Sequence, residues 1–362
     1  AVGLDALMEN TTGAQNTAVG QQTLDAVTTS SNNTAIGYAA GTALTTGAGV
    51  TAVGSFAATN LTTAGDVTAV GFACFDVLTT GTQNHAVGSN AGGGLTTGNY
   101  NTFMGDNAGV AVTTGVYNTC IGRYAQANNS GSYCTSIGAG ALNGSGEGSS
   151  NVAVGFDAMN SATSADNNVA VGVYAGRYLT TGDNNIFMGR NAGDGVTTAA
   201  QNICIGYEAA SYTNVLTTGA NNIVIGAFAN TSAAAGEYQT VIGYNVTCVG
   251  NNNFTFGQAS TDSNIAFGGT TITAPSDVRL KEDIQNEEIG LSFINDLRPV
   301  TYQWKKAKDV PSEMKAHDPD SEERVMNGLY NHGFIAQEVK EAMDKYDFKE
   351  GSDLWTEDDD DG

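Results

Sequence analysis

The sequence predicts a mainly β protein: a repetitive β-solenoid or β-roll rod of 17-residue coils, intertwined as a homotrimer, followed by a small α+β domain. Three observations carry this. A glycine that follows an aliphatic or aromatic residue recurs at positions 3, 20, 37, 54, 71, 88, 105 and 122, seven consecutive steps of 17. A step of 16 leads to Gly138; the 17-residue step returns through Gly155, Gly172, Gly189 and Gly206, and a step of 20 reaches Gly226. Gly243, Gly257 and Gly268 end the series. The second observation is composition: charged residues are only 14 % and glycines number 47, which suits stacked turns with little room for long side chains. The third is a break, since residues 1–275 hold three arginines and no lysine while residues 276–362 hold eleven Lys plus Arg.

The unit reads Asn33-Thr34-Ala35-Ile36-Gly37-Tyr38-Ala39-Ala40-Gly41-Thr42-Ala43-Leu44-Thr45-Thr46-Gly47. Alternation of small and aliphatic residues before the glycine (Val19, Ile36, Met104, Ile121, Met188, Phe256) predicts a short strand with one face buried. Asn opens many strands (Asn16, Asn84, Asn118, Asn168, Asn202), where its side chain is expected to bond the turn backbone. Ala40 and Leu44, four apart, are read as one inward-facing helical turn, and Thr-Thr-Gly as a corner whose glycine takes positive φ. One coil cannot bury its own apolar stripe, but stacked coils can. Some fifteen coils at roughly 4.8 Å each give about 70 Å.

The small residue at each strand's centre is read as lying opposite the aliphatic one. Solvated strand faces normally carry Lys, Glu and Arg, so that small face is expected to meet another chain closely, hence the homotrimer. Residue 1 falls inside a repeat, and the rod is expected to extend N-terminally to an anchor that meets other virion proteins. Domain limits are set at 1–243 for the repeat rod, 244–275 for a neck and linker with aromatic strands, and 276–362 for the C-terminal domain. There, Glu287 to Leu297 reads as an amphipathic helix, Val300 to Trp304 as a strand, Lys305 to Arg324 as a loop, Tyr330 to Ile335 as a second strand and Ala336 to Met343 as a helix.

Net charge of −23 argues against nucleic acid and against anionic membrane surfaces, and the chain has no apolar run of 18 residues. Cys74, Cys120, Cys134, Cys204 and Cys248 form no CxxC pair and are read as small buried thiols. No cofactor or metal site is expected; the run Asp358 to Asp361 lacks EF-hand spacing and reads as a solvated tail.

The repeat, over residues 1 to 243, resembles the AIG- or AVG-type head repeats of trimeric autotransporter adhesins, whose period is shorter, and the Gly-Asn-Asn-Thr repeats of phage fibre proteins. Ser276-Asp277-Val278-Arg279-Leu280-Lys281 with Ile284, then Leu297-Arg298-Pro299-Val300-Thr301-Tyr302-Gln303-Trp304, then Gly333-Phe334-Ile335-Ala336-Gln337-Glu338-Val339 resemble the intramolecular chaperone auto-processing domain that ends phage tailspikes and endosialidases. That resemblance implies a trimeric chaperone that templates a β-fibre and cuts itself off with a Ser–Lys dyad: Ser276 as nucleophile, Lys281 as base, Pro275–Ser276 as the bond cut. A lysine acts as a base only when neutral, and bringing it from about 10.4 to near 7 costs roughly 4–5 kcal/mol, which burial on assembly would supply. The sequence departs from the family in the proline at 275 and in ending at Gly362 instead of a long helix. His332 is read as structural, with orientation of the junction as its alternative role.

The functional expectation is a virion-surface fibre, of phage tail type, that recognises a host receptor or glycan and is at most a single-turnover, cis-acting peptidase. The alternative is a trimeric adhesin on a bacterial surface. A glycan depolymerase carried on the rod is the third reading, although no paired carboxylates at glycosidase spacing are recognisable.

Overall fold

The computed structural model describes residues 1–259, 262–268, 290–312, 316–325 and 328–346. It divides into two compact units, Ala1–Ser276 and Asp277–Gly362.

The first unit is a β-solenoid of about 14 turns with 17-residue coils. Thirteen three-residue strands run from β1 (Thr17–Val19) to β13 (Ile223–Ile225), followed by β14 (Gln239–Tyr244) and β15 (Asn253–Gln258). Each pairs in parallel with the next, one coil on, so Thr34, Ala35 and Ile36 lie against Thr51, Ala52 and Val53. The last strand, β16 (Ser263–Ala266), turns back antiparallel on β15.

The strand glycine ends each strand because no other residue fits there. Gly37 has φ of +137°, and a Cβ on it would sit 2.4 Å from the carbonyl oxygen of Gly54 in the next coil. The Thr-Thr-Gly glycine does not take positive φ as expected; at Gly47 the need is space, since a Cβ would lie 1.9 Å from the Ala64 carbonyl oxygen. The expected helical turn after the strand is also absent. Ala40 and Leu44 do face inward, both fully buried, but left-handed residues interrupt the path, such as Ala39 at φ 55° and Gly41 at φ 61°. A coil that must turn a corner within seven residues alternates backbone hand instead of propagating a helix.

The assignment of strand faces is corrected too. The small central residues point into the coil: Ala35, Ala52, Ala69 and Ala86 are fully buried. The aliphatic residue before each glycine points out, with Ile36 41 %, Val87 42 % and Met104 45 % exposed. The interior is narrow. Its opposite wall already contributes Leu44, Leu61, Leu78 and Leu95, all fully buried, which leaves alanine-sized space under the strand. Where the central residue is large, the facing wall gives way: Phe187 packs between Gly176 and Gly193, and a Cβ on either glycine would come within 2.5 Å of the ring. Cys120 and Cys204 occupy this same inward row, paired with Phe103 and Phe187 in the sheet.

Besides the backbone-to-backbone bonds that run from coil to coil, two side-chain ladders satisfy backbone groups between coils. Threonine hydroxyls donate to the threonine carbonyl one coil on, as Thr62 does to Thr79 at 3.1 Å and Thr79 to Thr96 at 3.0 Å. The expected strand-opening asparagines form the second, which is buried. The Asn168 backbone N–H donates to Asn151 Oδ1 at 2.9 Å, its Nδ2 donates to the Gly182 carbonyl at 3.0 Å, and its own Oδ1 accepts the Asn185 N–H at 2.8 Å. Cys134 stands in this row and still donates its N–H to Asn118 Oδ1 at 3.0 Å. Asn118 Nδ2 is left without a partner, because Gln126 Nε2 takes the Gly131 carbonyl at 3.1 Å. Replacing Asn168 with alanine orphans a buried N–H and a carbonyl together, at roughly 2–4 kcal/mol. A denaturation midpoint unchanged in Asn168→Ala would remove the ladder from the account of stability.

The second unit is small. α1 (Leu291–Asp296) precedes β17 (Val300–Tyr302), which pairs antiparallel with β18 (Asn331–Gly333), and α2 (Ala336–Met343) follows. The loop between the strands carries a 3-10 turn at Ala307–Asp309.

Candidate functional site

The residues expected to do chemistry, Ser276 and Lys281, lie outside the described residues, as does Pro275. The segments that carried the resemblance further along are described, and the fold brings them together. Val300 to Tyr302 pair with Asn331 to Gly333, so Thr301 lies opposite His332 with Oγ1 and Nδ1 3.4 Å apart. Arg298 and Glu338, forty residues apart, form a two-pronged ion pair, with Arg298 Nε donating at 2.9 Å. That hydrogen bond holds the Glu338 carboxyl below its ordinary range. The charged loop is clamped onto itself: Lys306 Nζ donates to Glu322 at 2.5 Å, Lys308 donates to the other oxygen, and Arg324 donates to the Trp304 carbonyl. With two lysines on it, the Glu322 carboxyl titrates at about 2.

Between strand, loop and the start of α2 lies an open apolar cavity of about 460 Å³, lined by Tyr302, Trp304, Val310, Phe334 and Ile335 among others. The polar pairs fix its walls but do not fill it. Among the described residues of this unit, Val310 and Ala342 are the only buried apolar side chains. No residue of α1 is buried, and Leu291 is 76 % exposed. The described residues of this unit therefore turn much of their apolar surface outward.

The solenoid contributes a second exposed apolar surface, the aliphatic row before the strand glycines. Sequence reasoning found the row but placed it inside; period-two alternation distinguishes two faces without saying which is enclosed. It missed the aromatic and arginine clusters beside the strands. Arg177 lies 4.4 Å from the ring centroids of both Tyr174 and Tyr178 and pairs with Asp194 at 2.9 Å, one coil on. The available signal was a tyrosine following two of the rod's three arginines, Arg123-Tyr124 and Arg177-Tyr178.

The cysteines offer no nucleophile. All five are free and buried, and burial pushes the Cys74 and Cys204 thiols up to about 12 and the Cys134 thiol up to about 11. Among the described residues, no helix is long and apolar enough to cross a membrane.

Residues 276–347 match the family model described as chaperone of endosialidase. Among curated proteins and among solved structures, none matches the chain.

Proposed function

We propose that this chain, a β-solenoid ending in an endosialidase-type chaperone segment, is a homotrimeric host-recognition fibre of a virus, of phage tail type, whose C-terminal part assembles the trimer and then releases itself. The observation that carries this reading is the aliphatic row, repeated coil after coil on the outside of the sheet. Thr34, Thr51 and Thr68 flank it and no lysine interrupts it. A monomer gains nothing from that pattern in water, whereas sister chains packed on it bury about 0.8 kcal/mol for each methylene covered. The second support is the C-terminal unit, where among the described residues only Val310 and Ala342 are buried apolar side chains, a pattern that suits subunits that fold together. The family matched by residues 276–347 implies trimer assembly.

Self-release uses Ser276 and Lys281. Neutral Lys281 takes the proton from Ser276 Oγ, which attacks the Pro275 carbonyl carbon. The Ser276 amide nitrogen leaves with that proton, and water hydrolyses the resulting ester to a Pro275 carboxylate and restores the hydroxyl. Because the lysine must be desolvated to be neutral, cleavage waits for assembly. Denaturing gels of the full chain are expected to give two bands that merge into one in Ser276→Ala; the same pattern from both would remove the peptidase step and leave the chaperone role standing.

The alternative, a bacterial surface adhesin, shares the rod and the trimer. The C-terminal match favours the virion.

A further inference from the structure

We propose that the inserted turn of the twelfth coil builds a saccharide-binding platform for an acidic glycan, an inference that rests on the host-recognition reading and locates its contact. The step of 20 between Gly206 and Gly226 is the one step of the series that adds residues to the 17-residue coil. In stacked-repeat proteins, insertions of this kind map to loops on one face, often the binding face. Here the extra residues are held firmly. Leu216 N–H donates to the Ala210 carbonyl at 3.0 Å and closes the base of the turn. Asn230 Oδ1, from a buried residue of the next coil, accepts the N–H groups of Tyr212 and Thr213 at 3.1 and 3.3 Å.

That anchoring presents Tyr212 to solvent at 50 % exposure, with its ring 4.7 Å from Phe228. Phe228 in turn meets Tyr207 at 5.1 Å and Tyr244 at 5.8 Å, both edge to face. The result is a pre-formed aromatic surface across three coils. Its rings are held by one another and by a fixed backbone, so little side-chain entropy remains to be lost on binding. The apolar C–H face of a pyranose stacks on such rings while its hydroxyls need polar groups at the margin.

Those groups are present, and one of them selects charge. Arg190 is exposed, with its guanidinium 5.6 Å from the Tyr207 ring centroid. The other two arginines of the rod are each paired with an aspartate, Arg123 with Asp106 and Arg177 with Asp194. Among the described residues no carboxylate lies within 4.0 Å of Arg190. Glu208, the nearby acid, instead accepts a hydrogen bond from Asn191 Nδ2 at 3.3 Å. A planar, exposed guanidinium without its own acid fits a carboxylate on the ligand, a local attraction that works against the chain's overall net charge of −23. The cluster begins one residue past the strand glycine and extends to the sixth, around the corner from the aliphatic row.

The test passes the full chain over immobilised oligosaccharides bearing uronic or nonulosonic carboxylates and over the same sugars with the carboxyl reduced to an alcohol. The mass of each protein in solution is recorded in parallel. At least one acidic sugar is expected to be retained, with Tyr212→Ala weakening it tenfold or more and Arg190→Gln bringing it down to the level of its reduced form. Retention of no acidic sugar, equal retention of the reduced form, or unchanged retention by Tyr212→Ala overturns the platform. A mass altered by Tyr212→Ala also overturns it, since the ring would then be an assembly contact. A trimer that retains no sugar leaves the fibre reading intact, and a monomer that retains acidic sugars removes the trimer while keeping the platform.

Discussion

Replacing Gly172 with alanine is expected to break the solenoid at that coil. The residue has φ of +138°, and a Cβ there would lie 2.5 Å from the Gly189 carbonyl oxygen and 2.6 Å from its carbon, backbone atoms that cannot swing aside. Two costs add: forcing an L-residue into a conformation reserved for glycine, about 1–3 kcal/mol, and overpacking against a fixed neighbour, about 1–3 kcal/mol more. A loss of roughly 2–6 kcal/mol lowers the melting temperature of a unit this long by about 5–20 °C. Because each coil touches only its neighbours, protease sensitivity is expected to appear first near residue 172. Gly250 is the control, with nothing within 4 Å of its built Cβ; Gly250→Ala is expected to stay within about 0.5 kcal/mol of the parent. Equal melting temperatures for the two variants would contradict the stacking described for the strand glycines.

The second large effect concerns assembly. Val87 and Met104 are neighbours on the outer aliphatic row, paired across adjacent strands. Lysines at both positions keep their charges in water on a single coil stack, since each site is already more than two-fifths exposed. On the proposed trimer the same change places charges against apolar partners, at several kcal/mol per ion before relaxation. Val87→Lys/Met104→Lys is therefore expected to fall from three chains to one in solution while keeping the melting behaviour of the isolated solenoid. A trimer that survives both lysines would mean the copies meet elsewhere.

The coil was legible in the sequence because its strictest requirement is for glycine: Gly37 and its equivalents cannot be substituted, so the period survives every other variation along the chain. The buried asparagine row was legible for a related reason, as the backbone at that corner needs a side-chain amide and few residues supply one. The facing of the strand was not. Ala35 and Ile36 alternate whichever of them is inside, and burying the larger residue is the usual rule. It fails here because Leu44 and Leu61 on the opposite wall already fill a cross-section too thin for two aliphatic layers. The helical turn was misread because Ala40 and Leu44 satisfy a four-residue spacing that any tight inward loop also produces. The left-handed residues along this path, such as Ala39 with φ of 55° and, one coil on, Ala58 with φ of 50°, carry no compositional mark. At the C-terminal end the pairing of Val300–Tyr302 with Asn331–Gly333 follows from two alternating segments, but the Arg298–Glu338 clamp spans forty residues and has no local signature.

The proposed fibre and its proposed self-release both require sister chains to cover what one chain leaves in water. The direct measurement is the mass of uncut Ser276→Ala protein by light scattering coupled to size exclusion, across a hundredfold range of concentration. The account predicts three times the 37.1 kDa chain mass throughout. A folded species of one chain mass, stable on dilution and still carrying its aliphatic row in solvent, would contradict it.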